Sequence, residues 1–198
     1  VETEEDFPRD VAELQRLLGP VQPGQRLVAM PGAGSQVPIW LLGSSLFSAQ
    51  LAAERGLPYA FASHFAPRLL MQALTVYRSQ FRPSATLARP HVVVGVPLIA
   101  APTDEEAQFL ASSTHQRVLG LLRGERGAMP PPVPHFLAGL SPSERAGTVI
   151  GGPDTVRQGL QALVQATQAD ELMLVCDIFD PDLRLRSLDI AAVQWRHN

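Results

Sequence analysis

The sequence predicts an α/β fold of about four parallel strands, each followed by a helix, forming an open sheet or half of a barrel. Three observations predict it. Four short apolar runs lack any polar–apolar alternation, as strands covered on both faces do. Each run is followed, at once or after a loop, by a stretch whose apolar residues recur at three- and four-residue spacing, the helical period. The 198 residues suffice for one core but fall short of the ~250 of a complete eight-unit barrel.

The elements follow in order. A helix over Phe7–Leu18 carries Val11, Leu14 and Leu18 on one face. The first run, Val37–Leu42, leads into a short helix with Leu46, Ala49 and Ala53 on one side. The second, Pro58–Ser63, precedes a helix patterned by Leu70, Ala73, Leu74, Tyr77 and Phe81. After the third, His91–Ala101, Thr103 is suited to cap a helix whose Asp104, Glu105 and Glu106 complement its dipole. That helix shows an apolar stripe of Ala107, Leu110, Ala111, Val118, Leu121 and Leu122. The stretch Gly124–Gly152, with its Pro130–Pro134 run, reads as a long surface excursion of the kind that borders active sites. A helix over Pro153–Gln168 follows, with proline in its first turn and Val156, Leu160, Leu163 and Val164 as its apolar face. The fourth run, Glu171–Phe179, ends at Asp180 or Asp182, either of which can start a helix carrying Leu185, Leu188 and Ala192. Successive strand–helix units imply right-handed crossovers between parallel strands. Such a half-barrel has two bare edges and, if curved, an exposed concave apolar face that something should cover.

Composition narrows the function. A net charge of −3 argues against a nucleic-acid or membrane-surface partner, since both need clustered positive charge. All 16 basic residues are arginine, which excludes Schiff-base chemistry and a P-loop ATPase site. One cysteine allows neither an internal disulfide nor a multi-cysteine metal centre, and a cytoplasmic setting fits. The acidic opening is unlike a signal peptide, and the longest apolar run, Val92–Pro102, is far below the ~20 residues that span a bilayer. The chain opens at Val1 rather than methionine, which hints at a removed upstream segment.

The strongest local feature is Leu41–Ala53, where a buried strand ends and Gly43, Ser44 and Ser45 lead directly into a helix. Free backbone N–H groups, the positive end of the helix dipole and the hydroxyls of Ser44, Ser45 and Ser48 meet there. That combination suits a phosphate dianion without lysine. The alternative is that a serine merely caps the helix. Gly151–Gly152 opens a later helix and is a rival anion site, weakened by Asp154 beside it. Pro31–Ser35 precedes a strand instead of following one and reads as a turn, not a dinucleotide loop. His64, past the second strand, is placed either to move a proton and bond a cofactor or simply to pack in its loop. Cys176 reads as a small apolar filler within the fourth strand, and Asp177, Asp180 and Asp182 as helix caps before acid–base groups. The five histidines show no metal-ligand spacing, so no metal is expected.

Taken together, VPIWLLGSS, SAQLAAERGLPYAFASHFAP, GGPDTVRQGLQAL and ADELMLVCDIFD resemble the bacterial luciferase-like flavin monooxygenases, in particular their alkanal or alkane monooxygenase-like branch. The resemblance extends from DFPRDVAELQRLL to LRLRSLDIAA, so residues 1–198 read as a single domain, the C-terminal half of a (β/α)8 barrel of the TIM type. It implies that Gly43, Ser44, Ser45 and Ser48 hold the phosphate of reduced FMN, or of coenzyme F420 as in one branch, and that His64 faces flavin or substrate as a catalytic group. The implied chemistry is oxygenation of an aldehyde, alkane or other small organic substrate by a flavin C4a-peroxide formed with O2. Reduced flavin would come from a separate NAD(P)H:flavin reductase, and the chain would form a homo-oligomer, as a dimer. The readings left beside this one are a non-catalytic flavin-binding or structural half-barrel that self-associates, and an F420-dependent oxidoreductase.

Overall fold

The computed structural model describes residues 6–135 and 148–196. The order is α1 (Phe7–Leu18), β1 (Leu41–Gly43), α2 (Leu46–Arg55), β2 (Tyr59–Phe61), α3 (Leu70–Gln80), β3 (Val92–Ala100), α4 (Asp104–Leu122), β4 (Val149–Gly151), α5 (Pro153–Thr167), β5 (Glu171–Val175) and α6 (Pro181–Arg196). All strand pairs are parallel. β1, β2 and β3 lie side by side, with Leu41 opposite Tyr59 and Tyr59 opposite Val92. β5 pairs with Val93–Pro97, and β4 pairs with the C-terminal end of the same strand, Leu98–Ala100. The α/β class and parallel sheet are as predicted, and the sheet does not close on itself.

Three differences have physical causes. A fifth strand, β4, interrupts the predicted excursion; its three residues gain strand geometry by pairing with the end of β3, which local pattern cannot reveal. The other strands are shorter than the apolar runs that announced them, because ladder bonds end where the neighbour ends. Cys176 therefore lies just past β5 rather than within it. The predicted face of α6 is wrong: Leu185 is 63% exposed, whereas Ser187 and Ala191 are fully buried. The Ser187 hydroxyl accepts the Ala100 amide at 2.7 Å, so the helix turns its polar residue inward to satisfy the end of β3. Residues 136–147 of the excursion lie outside the described residues, while its start is laid along α4 by the Val133 amide on Ser112 Oγ at 2.8 Å.

Alternation divides the sheet into two faces. Leu41, Tyr59, Phe61, Val92, Val94, Leu172 and Leu174 join the main core with residues of α2, α3 and α5. The opposite face carries Leu42 and Met173, which are 67% and 57% exposed. Toward the strand C-termini Ile99 and Ala101 leave that bare face for a second cluster with Ala107, Leu110, Ala111 and Ile178, so α4 overhangs the end of the sheet. Two ion pairs fasten α4 to the segment around β5 and α6, Glu106 with Arg186 and Arg117 with Asp177.

Candidate functional site

In parallel α/β folds ligands gather at the C-terminal ends of the strands. Two features occupy that end here. The first is the β1–α2 junction. Ser45 is the N-cap of α2: its Oγ accepts the Ser48 amide at 3.2 Å, and the Ser45 amide reaches Ser48 Oγ at 3.4 Å. Ser48 is buried, donates to the Ser45 carbonyl at 2.8 Å and lies 3.0 Å from the Tyr59 hydroxyl. Burial pushes the Tyr59 phenol above its ordinary 10.0, and the Ser48 bond opposes this. Gly43 is required by this packing, since a Cβ there would stand 2.2 Å from Ser48 Oγ. Ser44 is half-buried and its hydroxyl bonds no described residue. The first-turn amides of Leu46 and Phe47 have no intrahelical acceptor. Gly43, Ser44 and Ser45 thus meet at one helix N-terminus, where no described residue bonds the Ser44 hydroxyl or the two amides. The Ser45 hydroxyl is engaged by Ser48, accepting its amide and donating to its Oγ at 3.3 Å, and Ser48 supports the turn from beneath.

The rival junction is filled by the protein itself. Asp104 Oδ1 accepts the Gly152 amide at 2.6 Å and its Oδ2 accepts the Thr155 hydroxyl at 3.2 Å, at the start of α5. These bonds hold the Asp104 carboxyl below its ordinary 3.8. A carboxylate of the chain sits where a bound anion would sit.

The second feature is an open cavity of about 400 Å³ at the ends of β3 and β5, beneath α4. His64, Phe65, Ile99, Val118, Arg117 and Asp177 are among its walls. His64 is exposed, its ring 4.2 Å from that of Phe65 and lying over Gly95, where a Cβ would come 3.2 Å from Nδ1. Buried Ser63 anchors this loop by donating to the Gly95 carbonyl. The stripe end Val118, Leu121 and Leu122 lines the cavity instead of the core. Sequence reasoning missed Arg117 and took Asp177 as a cap ahead of an acid–base group; their pairing spans 60 positions and depends on how α4 folds back over β5. Asp180 is the cap, accepting the amides of Asp182 and Leu183 at 2.9 and 3.0 Å. Burial raises the Cys176 thiol above 9.0, which disfavours a nucleophilic thiolate. Among the described residues no three of His, Cys, Asp and Glu gather as metal ligands, and no helix is long and apolar enough to cross a membrane.

The family model for luciferase-like monooxygenases matches residues 6–171. A luciferase-like monooxygenase of Escherichia coli (strain K12) is 46% identical over 194 residues, which cover 94% of this chain and 58% of that protein. The crystal structure of apo-MsnO8 superposes with a TM-score of 0.86 at 31% identity, over 99% of this chain and 62% of that one. The oxygenating constituent of 3,6-diketocamphane monooxygenase from the CAM plasmid of Pseudomonas putida, solved with FMN, shares the fold at a TM-score of 0.52 and 21% identity, over 87% of this chain and 53% of that one. The chain spans less than two thirds of the length of these relatives.

Proposed function

Because this chain belongs to the luciferase-like monooxygenase family, we propose that it is the phosphate- and substrate-binding half of an FMN-dependent monooxygenase acting on a small organic substrate. The observation that carries this reading is the contrast between the two helix N-termini at the strand ends. Asp104 fills the one before α5, while no described residue bonds the Ser44 hydroxyl or the first-turn amides at the one before α2. In this reading Ser44 and the α2 amides bind the phosphate, Ser45 and Ser48 hold the turn in place, and Gly43 lets Ser48 approach. Reduced flavin, when bound, supplies O2 activation and oxygen transfer. Phe65, Ile99 and Val118 keep water from the reacting atoms, and His64 holds or moves a proton at its ring nitrogen. We further propose that residues 1–198 act as one domain, that the chain self-associates in the cytoplasm, and that a separate NAD(P)H:flavin reductase supplies reduced flavin.

Titration of FMN and F420 into the wild-type chain, Ser44→Ala and Ser44→Ala/Ser45→Ala tests the assignment. FMN is expected to bind the wild type over F420 and to lose about 1–3 kcal/mol in the double variant, the usual effect of hydrogen bonds to a charged group. Ser44→Ala leaves the cap intact, so its loss separates phosphate binding from helix stability. Equal FMN affinity in all three proteins removes the phosphate site, and tighter F420 binding replaces the cofactor.

A further inference from the structure

Gly95 runs against the chemistry of its strand. It interrupts the valines of β3, a nine-residue strand, where glycine gives up both side-chain packing and backbone order. Its φ is outside the left-handed region that Gly56 occupies, so the backbone there does not itself require glycine. Space does. Val92, Val94 and Val96 face the main core, which turns Gly95 to the other side with Pro97, a residue of the cavity wall. β2 ends with Phe61 opposite Val94, and the chain leaving it bends over the bare position. The Ser63 and Phe65 amides close that bend on the Phe61 and Ala62 carbonyls, each at 3.0 Å, and the Ser63 hydroxyl ties it to the Gly95 carbonyl.

The His64 ring fills the space so left. The atoms nearest an added Cβ are His64 Nδ1 at 3.2 Å, the Phe61 carbonyl oxygen at 3.4 Å and His64 Cε1 at 3.6 Å. Nδ1 is thus the nitrogen laid against the strand, and Nε2 lies farther from Gly95. An imidazole that moves protons is commonly oriented by a hydrogen bond at its other nitrogen. Neither nitrogen of His64 bonds a described residue, so this ring is held by shape, between Gly95 and the Phe65 ring.

We propose that Gly95 is a positioning residue, a seat in β3 that holds His64 with Nδ1 against the strand and gives Nε2 to the cavity as the proton-handling nitrogen. The inference rests on His64 serving the proposed monooxygenase. Ser63 shares the task by fixing the bend, and a ring free to wander would lose the alignment that proton transfer needs.

The test reads His64 in the full chain by NMR, its ring signals assigned by their absence in His64→Ala. Wild type is expected to show a nuclear Overhauser contact from His64 Hε1 to the Gly95 α protons and none from Hδ2. Gly95→Val expels the ring, so the contact disappears and both ring protons move to the shifts of a free imidazole. Gly95→Ala lowers the melting temperature more in wild type than in His64→Ala, because the tight approach to Nδ1 exists only with the ring present. Ring signals indifferent to Gly95→Val, a contact from Hδ2 in place of Hε1, or equal melting losses in the two backgrounds overturns the proposal. If Gly95→Val does not fold, the wild-type contact and the Gly95→Ala comparison decide. FMN titration of wild type and Ser44→Ala keeps the two readings apart: the Hε1 contact without FMN binding sinks the flavin assignment alone, and Ser44-dependent FMN binding without the contact sinks this one alone.

Discussion

Gly43 and Ser48 act as a pair, and their closeness sets what each position tolerates. An added methyl at Gly43 would overlap Ser48 Oγ at 2.2 Å and Cβ at 2.4 Å. Gly43→Ala is therefore expected to destabilise the chain by about 1–3 kcal/mol in urea unfolding, the usual range for overpacking. Gly43→Ala/Ser48→Gly should recover much of that loss, an outcome that simple strand propensity would not produce. Tyr59 supplies a pH signature. Its phenol is held above 10.0 in the folded chain, chiefly by burial, so the folded state favours the protonated form. That contribution is complete below pH 10 and disappears as pH climbs through the folded value. Melting temperature of the wild type should fall more steeply above pH 10 than that of Tyr59→Phe, with Tyr77 giving the residual slope in both. A serine cap at this helix start was legible from residue type, but Ser48 as the partner of Ser45 was not, since the sequence points its hydroxyl at a phosphate. Nor was Tyr59 as its third member, since that contact exists only once β1 and β2 pair in register.

At the scale of elements, the start of α4 illustrates how far local reading reaches. Thr103 as the cap follows from residue type, and its Oγ1 accepts the Glu106 amide at 3.2 Å. The acidic first turn likewise follows from dipole complementarity. What residue type cannot tell is that Asp104 turns away to bond Gly152, 48 positions later, and so joins two helix starts. Bonds to the Gly152 amide and Thr155 depress its pKa, so its stabilising effect is present above pH 3.8 and fades as pH falls through the lower folded value. Asp104→Ala is expected to lower stability at pH 7 and to speed amide exchange at Gly152, with the gap to wild type closing below pH 3.8. A gap that persists in acid would assign the effect to packing. The face of α6 was misread for a related reason: apolar periodicity favours Leu185 and Ala192, but the unpaired Ala100 amide at the end of β3 selects Ser187.

For the whole molecule, the class of fold and the strand–helix rhythm were visible in four apolar runs, whereas the fifth strand was invisible because it borrows its geometry from β3. On the face opposite the main core, Leu42 and Met173 are largely exposed. They sit on β1 and β5, while Ala60 and Val93 between them are 8% and 5% exposed; exposed apolar side chains favour association, so the isolated chain is expected to sediment as larger species with rising concentration. Leu42→Asp/Met173→Asp should return it to monomer without lowering its melting temperature; unchanged sedimentation would place the contact elsewhere. The connections around α4 carry a last consequence. The β3–β4 ladder, the Asp104–Gly152 bond and the Arg117–Asp177 pair all bridge chain on either side of residues 123–148. A protease cut within that stretch would therefore leave two pieces that stay clasped, and the two pieces expressed from separate genes should find each other and rebuild the same molecule.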